Sequence, residues 1–241
     1  ELRGCCDVKL LTRTAALGYF DHNQLLLAEA LAPGADHRLP RQRLWQVRAK
    51  QVVLATGLSE RPLVFPGNDR PGVMLASAVR EYLGRYGVLT GRTAVIFTNN
   101  DDAYATAAAL LGAGAGVAAI VDTRVAPPSR LVVREVERHA GGAVVGTRGR
   151  HGLGLVEART ADGRRRAFRA ELLAMSGGFN PNVHLFCQSG GQLAYDEARA
   201  LFRPERSVQQ EISIGGAAGT LSLGGALREG HAAGGGAPAE A

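Results

Sequence analysis

The sequence lacks the cysteine pattern of a secreted protein held together by disulphide bonds. It has three cysteines, Cys5, Cys6 and Cys187, and an odd number without a spaced framework argues against such a scaffold. It also lacks a set of Cys, His and carboxylate residues at metal-ligand spacing. We therefore expect no metal site, and we expect Cys5 and Cys6 to be buried as small hydrophobic side chains.

Long apolar runs and dense basic patches are missing as well. No run approaches the roughly 18 residues of a membrane span, and the opening ELRGCCDVKLL has no basic region ahead of an apolar one, so we expect no signal peptide. The net charge of +6 comes almost entirely from scattered arginines. The densest run, Arg164 to Arg166, follows Asp162-Gly163 as in a hairpin. We therefore expect neither a nucleic-acid partner nor a membrane partner.

The first quarter of the sequence has the alternation and turn spacing of β-strands. Asp21-His22-Asn23 is a predicted turn between two of them. The pattern predicts a meander that ends in the sequence ATG, with strands over 8–11, 14–20, 24–31, 44–49 and 51–56.

Residues 58–72 hold three prolines and two glycines, a composition typical of a connector between domains. Helices and strands then alternate, which is the rhythm of a parallel sheet. We predict helices over 77–86, 101–111 and 129–139, strands over 93–97, 117–121, 143–145 and 171–175, and a hairpin over 153–169. A last strand over 212–214 precedes a segment rich in glycine and alanine.

Residues 92–124 have the layout of a dinucleotide-binding βαβ unit: strand, turn, helix, strand and acidic residue. Asp122 follows the turn by about 20 residues, where a carboxylate can hold a ribose hydroxyl. The turn itself reads TNNDDA and has no glycine to admit a phosphate. Asp101 and Asp102 also repel phosphate at the helix N-terminus. We predict a degenerate loop that binds no dinucleotide, with a working NAD(P)H site as the alternative.

The closing segment, 212–233, runs from a strand through small residues into a predicted helix whose first turn is Gly-Ala-Ala-Gly-Thr. Two interpretations stay open: a helix N-terminus that approaches an anion closely, or a tightly packed Ala/Gly helix. Tyr19, Asp21 and His22 are interpreted as the tip of a surface hairpin. The sequence has no Ser/His/Asp arrangement or carboxylate pair that indicates catalysis, so we expect no catalytic residue.

Taken in order, these segments resemble flavoproteins with two dinucleotide-binding domains, and more narrowly the alpha subunit family of heterotetrameric sarcosine oxidase. The stretches that carry the resemblance are RTAALGYFDHN at 13–23, the ATG strand and connector at 52–88, VIFTNNDDAY at 95–104, SGGFNPNVHLFCQSGGQLAYDEARALFRP at 176–204 and GAAGTLSL at 216–223.

The resemblance implies an α/β fold of the FAD/NAD(P)-binding, pyridine nucleotide-disulphide oxidoreductase-like type. It would have two Rossmann-type domains and a β-meander, and its first domain would be incomplete. The expected parts are a first domain at 1–64 and 205–233, an inserted second domain at 72–178, a return connection at 179–204 and a linker at 234–241. The chain would be a middle fragment, without the family's N-terminal GxGxxG unit and its C-terminal aminomethyltransferase-like half.

The resemblance also implies a nucleotide in the first domain, NAD in this family, with FAD as the alternative. Ala16 matches a position whose backbone meets the adenine, and Ala218, Leu223 and Gly225 match positions that line the nucleotide. Gly225 lacks the hydrogen-bonding side chain found there in relatives. We add Thr56 and Gly57 from strand geometry, because a glycine after the ATG strand lets the backbone pass close to the ligand.

The implied complex is cytoplasmic and contains beta, gamma and delta subunits, with FAD and FMN elsewhere in the assembly. It demethylates sarcosine oxidatively and passes the one-carbon unit to tetrahydrofolate. One alternative is an NAD(P)H-dependent flavin oxidoreductase or an opine- or cyanide-forming dehydrogenase subunit. The other alternative is a non-catalytic scaffold that docks partner subunits.

Overall fold

A computed structural model describes residues 7–31, 40–128 and 136–235. Cys5 and Cys6, most of the helix predicted from Ser129, and all of the linker after Gly235 lie outside these ranges. The chain divides into two compact units, which we call unit 1 (Glu1–Ser59 and Asn180–Ala241) and unit 2 (Glu60–Phe179).

An antiparallel meander forms the first part of unit 1. Its strands, in spatial order, are β1 (Thr14–Phe20), β2 (Gln24–Ala30) and β3 (Gln42–Arg48). His22 and Asn23 make the β1–β2 turn in the left-handed region, at φ 59° and 53°. The strand predicted over 8–11 is wrong: these residues pair with no strand, and Val8 and Leu10 are exposed. An isolated extended segment gains no ladder hydrogen bonds, so its alternation alone does not make it a strand.

The ATG strand and the closing strand pair with each other in unit 1. These strands, β4 (Val52–Leu54) and β17 (Glu211–Ser213), run parallel, with Ser213 opposite Leu54. The two chain crossings between the units, β5 (Leu58–Glu60) and β14 (Phe179–Pro181), also pair. Tyr19, Val52, Leu54 and Phe186 form the core beneath.

The segment expected as a return connection is structured. After β14 it forms helix α3 (His184–Gln188) and an antiparallel hairpin of β15 (Gln192–Asp196) and β16 (Leu201–Arg206). Helix α4 (Leu223–Gly234) is the last described element of unit 1.

A five-stranded parallel sheet organises unit 2. Helices α1 (Ala76–Tyr86) and α2 (Asp102–Gly112) cover one face. A second sheet, of β10 (Ala143–Arg148), β11 (Leu155–Arg159) and β12 (Arg165–Arg169), covers the other. The order of the parallel strands is β6 (Val73–Leu75), β13 (Leu172–Ser176), β7 (Thr93–Thr98), β8 (Gly116–Asp122) and β9 (Arg138–Ala140).

Covering both faces explains the sequence pattern of β13, β7 and β8, which are largely apolar rather than alternating. Along β7, Ile96 packs under the helices and Val95 packs under the second sheet. The C-terminal part of the helix predicted over 129–139 is wrong, because Arg138–Ala140 pairs with β8 from Ile120 to Asp122. Because β13, β7 and β8 are parallel neighbours, their carboxyl ends meet at one edge of unit 2.

Candidate functional site

In unit 1 the site begins where β4 ends, at Thr56 and Gly57. The Thr56 hydroxyl donates to the Asn182 carbonyl at 2.6 Å, and the Asn182 amide returns a bond to the Thr56 carbonyl at 3.0 Å. The Asn182 backbone N–H donates to the Gly57 carbonyl at 3.0 Å. Gly57 has φ 76°, and a Cβ there would have no heavy atom within 4 Å. The chain thus leaves the sheet in a fixed left-handed turn with open space beside it.

The second part of the site is a 3-10 turn, Gly215–Ala218, that follows β17. Gly216 lies directly against the ATG turn: a Cβ on it would sit 3.1 Å from the Gly57 Cα. The Glu229 carboxylate accepts from the Gly215 amide at 2.6 Å and from the Thr220 hydroxyl at 2.5 Å. One carboxylate therefore holds both ends of the turn, while Ala218 remains partly exposed within it.

Helix α4 starts later than the closing sequence suggested. The residues Gly-Ala-Ala-Gly-Thr form the separate 3-10 turn and its exit, and α4 begins at Leu223. The Ser222 hydroxyl caps the helix by accepting from the Gly225 amide at 3.2 Å. Gly225 is buried against Thr220 and Ser222, so a Cβ would collide with both, whereas Leu223 is 77% exposed.

Five of the six predicted nucleotide-binding residues therefore lie on connected segments at the carboxyl ends of β4 and β17. These are Thr56, Gly57, Ala218, Leu223 and Gly225. Ala16 is exposed on β1 in the meander sheet, beside an irregularity in the β1–β2 register. In open α/β sheets, ligands bind outside the carboxyl ends of the strands. Asn182 and Glu229 fix this geometry, but the sequence alone did not identify them. Thr56, the partner of Asn182, lies 126 positions away. The partners of Glu229 lie across the turn that precedes α4.

In unit 2 the loop 98–103 is closed by asparagine side chains. The Asn100 amide donates to the Ser176 hydroxyl at 2.9 Å and to the Ser176 carbonyl at 3.2 Å. The Asn100 side-chain oxygen accepts from the Asp102 amide at 3.0 Å, so an internal acceptor occupies one of the first amides of α2. Arg80 forms an ion pair with Asp102. The end of β7 is thereby tied to the end of β13.

Asp122, at the end of β8, is fully buried and fully hydrogen-bonded. One oxygen accepts from the Tyr104 hydroxyl and from the Arg124 guanidinium, both at 2.8 Å; the other accepts from Arg124 N at 2.9 Å and Nε at 3.0 Å. Arg124 also pairs with Asp101 at 2.6 Å. The bonds to Asp122 raise the pKa of Arg124.

Burial and the bond to Asp122 raise the pKa of Tyr104 from 10.0 to about 12. An unfolded tyrosine releases its proton first, so this contribution to stability is complete below pH 10 and is lost as the pH rises from 10 to about 12. We expect Tyr104→Phe to lose less stability than the unmodified protein over that interval, as measured by denaturant unfolding at stepped pH. Equal losses in both proteins would contradict the assignment.

Residues 7–31, 40–128 and 136–235 contain no group of three His, Cys, Asp or Glu side chains that could hold a metal ion. Nor do these ranges contain a helix that is both long and apolar enough to cross a membrane. Tyr19, predicted at a surface hairpin tip, is fully buried, whereas Asp21 and His22 are exposed as expected.

Sequence comparisons relate this chain to known proteins. It is 44% identical over 237 residues to the sarcosine oxidase alpha subunit of Rhizobium meliloti, a match that covers 96% of this chain and 24% of the relative. It is 38% identical to the sarcosine oxidase alpha subunit of Corynebacterium sp. strain P-1, over 97% of this chain and 26% of the relative. The chain thus spans about a quarter of the length of these relatives. A lower similarity, 29% over 66% of this chain and 36% of the relative, links it to an opine oxidase subunit of Agrobacterium tumefaciens. No protein-family model matches the chain.

Solved structures agree on the fold. Lactococcus lactis thioredoxin reductase superposes with a TM-score of 0.63 at 14% identity, covering 90% of this chain and 70% of the reductase. A FAD-dependent pyridine nucleotide-disulphide oxidoreductase from Desulfovibrio vulgaris superposes with a TM-score of 0.58 at 17% identity, over 84% of this chain and 52% of that one. The fold predicted from the sequence, FAD/NAD(P)-binding and pyridine nucleotide-disulphide oxidoreductase-like, is confirmed.

Proposed function

This chain belongs to the family of sarcosine oxidase alpha subunits and corresponds to a segment of them. From that premise we propose that it is the nucleotide-holding segment of such an oxidoreductase subunit. The complete protein would work with beta, gamma and delta partners in the cytoplasm. That complex would demethylate sarcosine oxidatively and pass the one-carbon unit to tetrahydrofolate. The chemistry would use FAD and FMN elsewhere in the assembly, so this segment supplies no catalytic residue.

In this proposal unit 1 holds NAD, with FAD as the alternative occupant. The observation that carries it is the open, small-residue surface at the ends of β4 and β17. Gly57 has free space on its Cβ side, and Gly216 packs against the Gly57 backbone and the Leu58 side chain. The nucleotide would lie along Thr56, Gly57, Ala218, Leu223 and Gly225 and reach Ala16 with its adenine. Bound there, NAD would have a structural or regulatory role.

Nucleotide analysis of the complete protein tests this assignment. We expect the purified protein to release one NAD per alpha chain on denaturation, identified by chromatography and mass. Recovery of FAD in excess of the flavins held elsewhere in the assembly, with no NAD, would support the alternative occupant. A folded protein with neither NAD nor additional FAD would overturn the nucleotide assignment and favour the scaffold.

Ala218 offers a site-directed test. We expect Ala218→Glu to retain NAD at least about tenfold more weakly, since a carboxylate in the 3-10 turn opposes the diphosphate. Ala218→Ser is the matched control, because it adds a small neutral group at the same position and should retain NAD. Equal retention by both variants would place the nucleotide elsewhere.

The similarity to an opine oxidase subunit supports a second candidate, an opine-oxidising complex. The complete complex can be assayed with sarcosine and with an opine under the same conditions. Faster turnover of sarcosine supports the first proposal, and faster turnover of the opine supports the second.

A further inference from the structure

The Asp122 carboxylate of unit 2 occupies the position at which a βαβ unit normally holds a ribose. A carboxylate offers about four lone-pair sites, and Asp122 accepts from four donors of its own chain: the Tyr104 hydroxyl and the N, Nε and terminal nitrogen of Arg124. A ribose hydroxyl would have to displace one of them. The carboxylate is therefore already satisfied by the protein.

Arg124 continues from this carboxylate to the start of α2. Its other terminal nitrogen donates to Asp101 at 2.6 Å, and Asp101 is the residue that precedes the first turn of α2. In a dinucleotide-binding unit the ribose lies at the acid that ends the second strand and the phosphate lies at the helix N-terminus. The guanidinium thus bridges the two places that a bound nucleotide would bridge.

We propose that Arg124 is an internal occupant of the nucleotide position of unit 2 and excludes adenosine nucleotides from it. The inference concerns unit 2 alone and goes beyond the proposed role of unit 1. Removing Arg124 from its place would leave a fully buried carboxylate without its cation, which is strongly unfavourable. The missing glycines of the loop make phosphate binding poor, and Arg124 makes ribose binding poor as well.

An arginine near this position can instead read the 2′-phosphate of NADP. The contacts of Arg124 argue against that role here. It already forms a bidentate pair with Asp122 and a second pair with Asp101. These bonds leave the guanidinium neutralised by carboxylates rather than presented to a phosphate.

The test uses adenosine, because it carries the ribose without a phosphate and so does not need a glycine loop. The complete protein is titrated with adenosine by calorimetry as the unmodified form, as Arg124→Ser and as Arg148→Ser. Arg148 is the matched control, since its side chain is exposed and forms an ion pair with Glu157 in the same unit. We expect Arg124→Ser alone to gain a binding site, about tenfold or more tighter than any in the other two proteins. A folded Arg124→Ser protein that gains no site would overturn the proposal.

Adenosine that binds unit 1 would be measured in all three proteins, whereas the expected new site is gained by Arg124→Ser alone. The result for unit 2 therefore does not depend on whether unit 1 holds a nucleotide. If Arg124→Ser does not fold, titration with NADPH replaces it, using the unmodified protein and Arg124→Lys. Lysine keeps the positive charge but cannot form the bidentate pair. No saturable binding by the unmodified protein supports the proposal. Saturable NADPH binding that Arg124→Lys weakens by about tenfold would overturn it and make Arg124 a phosphate ligand.

Discussion

Replacing Gly216 by alanine is expected to destabilise unit 1 by about 1 to 3 kcal/mol, the usual cost of overpacking. The new Cβ would lie 2.7 Å from the Leu58 Cγ and 3.0 Å from the Gly57 carbonyl carbon. Backbone atoms cannot turn aside as a flexible side chain can, so the 3-10 turn and the ATG turn must separate. The same displacement should reduce the nucleotide retained by the complete protein, because it disturbs both sides of the proposed site.

Gly224→Ala is the matched control for this prediction. Gly224 is an exposed residue in the first turn of α4, and a Cβ there would meet only the Arg228 guanidinium, at 3.7 Å. Alanine favours a helix over glycine by about 0.5 to 1 kcal/mol, so this variant should be neutral or more stable. Hydrogen exchange over 52–57 and 211–220 should report faster opening in Gly216→Ala alone. Similar exchange in the two variants would show that the close approach of the two turns does not hold.

Local pattern was enough to predict the elements that form the framework of both units. The meander, the ATG strand, the βαβ unit and the hairpin of β11 and β12 all follow from alternation, helical spacing and turn residues. These signals are carried by neighbours in sequence, and their apolar runs match strands covered on both faces. The same signals misassigned 8–11, because alternation cannot show whether a strand has a partner.

The residues that fix the site could not be predicted in the same way. Thr56 and Asn182 exchange bonds across 126 positions, and no local spacing encodes such a pairing. The local sequence indicates only a turn at Asn182 and an ordinary helical residue at Glu229. The order of the closing residues suggested one helix beginning at the glycines, but Ser222 provides a better cap than the residues before it.

Asp122 shows how a correct position can lead to an incomplete chemical interpretation. The sequence placed a carboxylate at the end of the second strand of a βαβ unit, and the structure has it there. The sequence also places Arg124 two residues later, but only the fold brings Asp101 to the other side of the guanidinium. Charges that we expected to repel a phosphate are instead paired, Asp101 with Arg124 and Asp102 with Arg80.

Asn23→Ala should produce the largest loss of stability in unit 1, on the order of 3 kcal/mol, because it would remove three hydrogen bonds and leave the buried Tyr19 hydroxyl without its acceptor. The Asn23 side chain is buried and accepts from the Tyr19 hydroxyl at 2.8 Å. Its amide donates to the carbonyls of Lys50 and Gln210, each at 3.1 Å. These bonds join the β1–β2 turn to the residues that precede β4 and β17, so their loss should loosen the parallel pair on which the proposed site is built.

His22→Ala separates this side-chain effect from the cost of the backbone conformation. His22 has φ 59° beside the 53° of Asn23, but its side chain is exposed. Alanine in the left-handed region costs about 1 to 2 kcal/mol, and asparagine tolerates that region better than most residues, so both variants carry some backbone strain. The difference between them in denaturant unfolding therefore measures the buried network. Because Tyr19 would lose its acceptor while remaining buried, Asn23→Ala should be the less stable variant by more than about 1 kcal/mol. Equal stabilities would mean that the turn conformation, and not the hydrogen bonds of Asn23, holds the meander against β4 and β17.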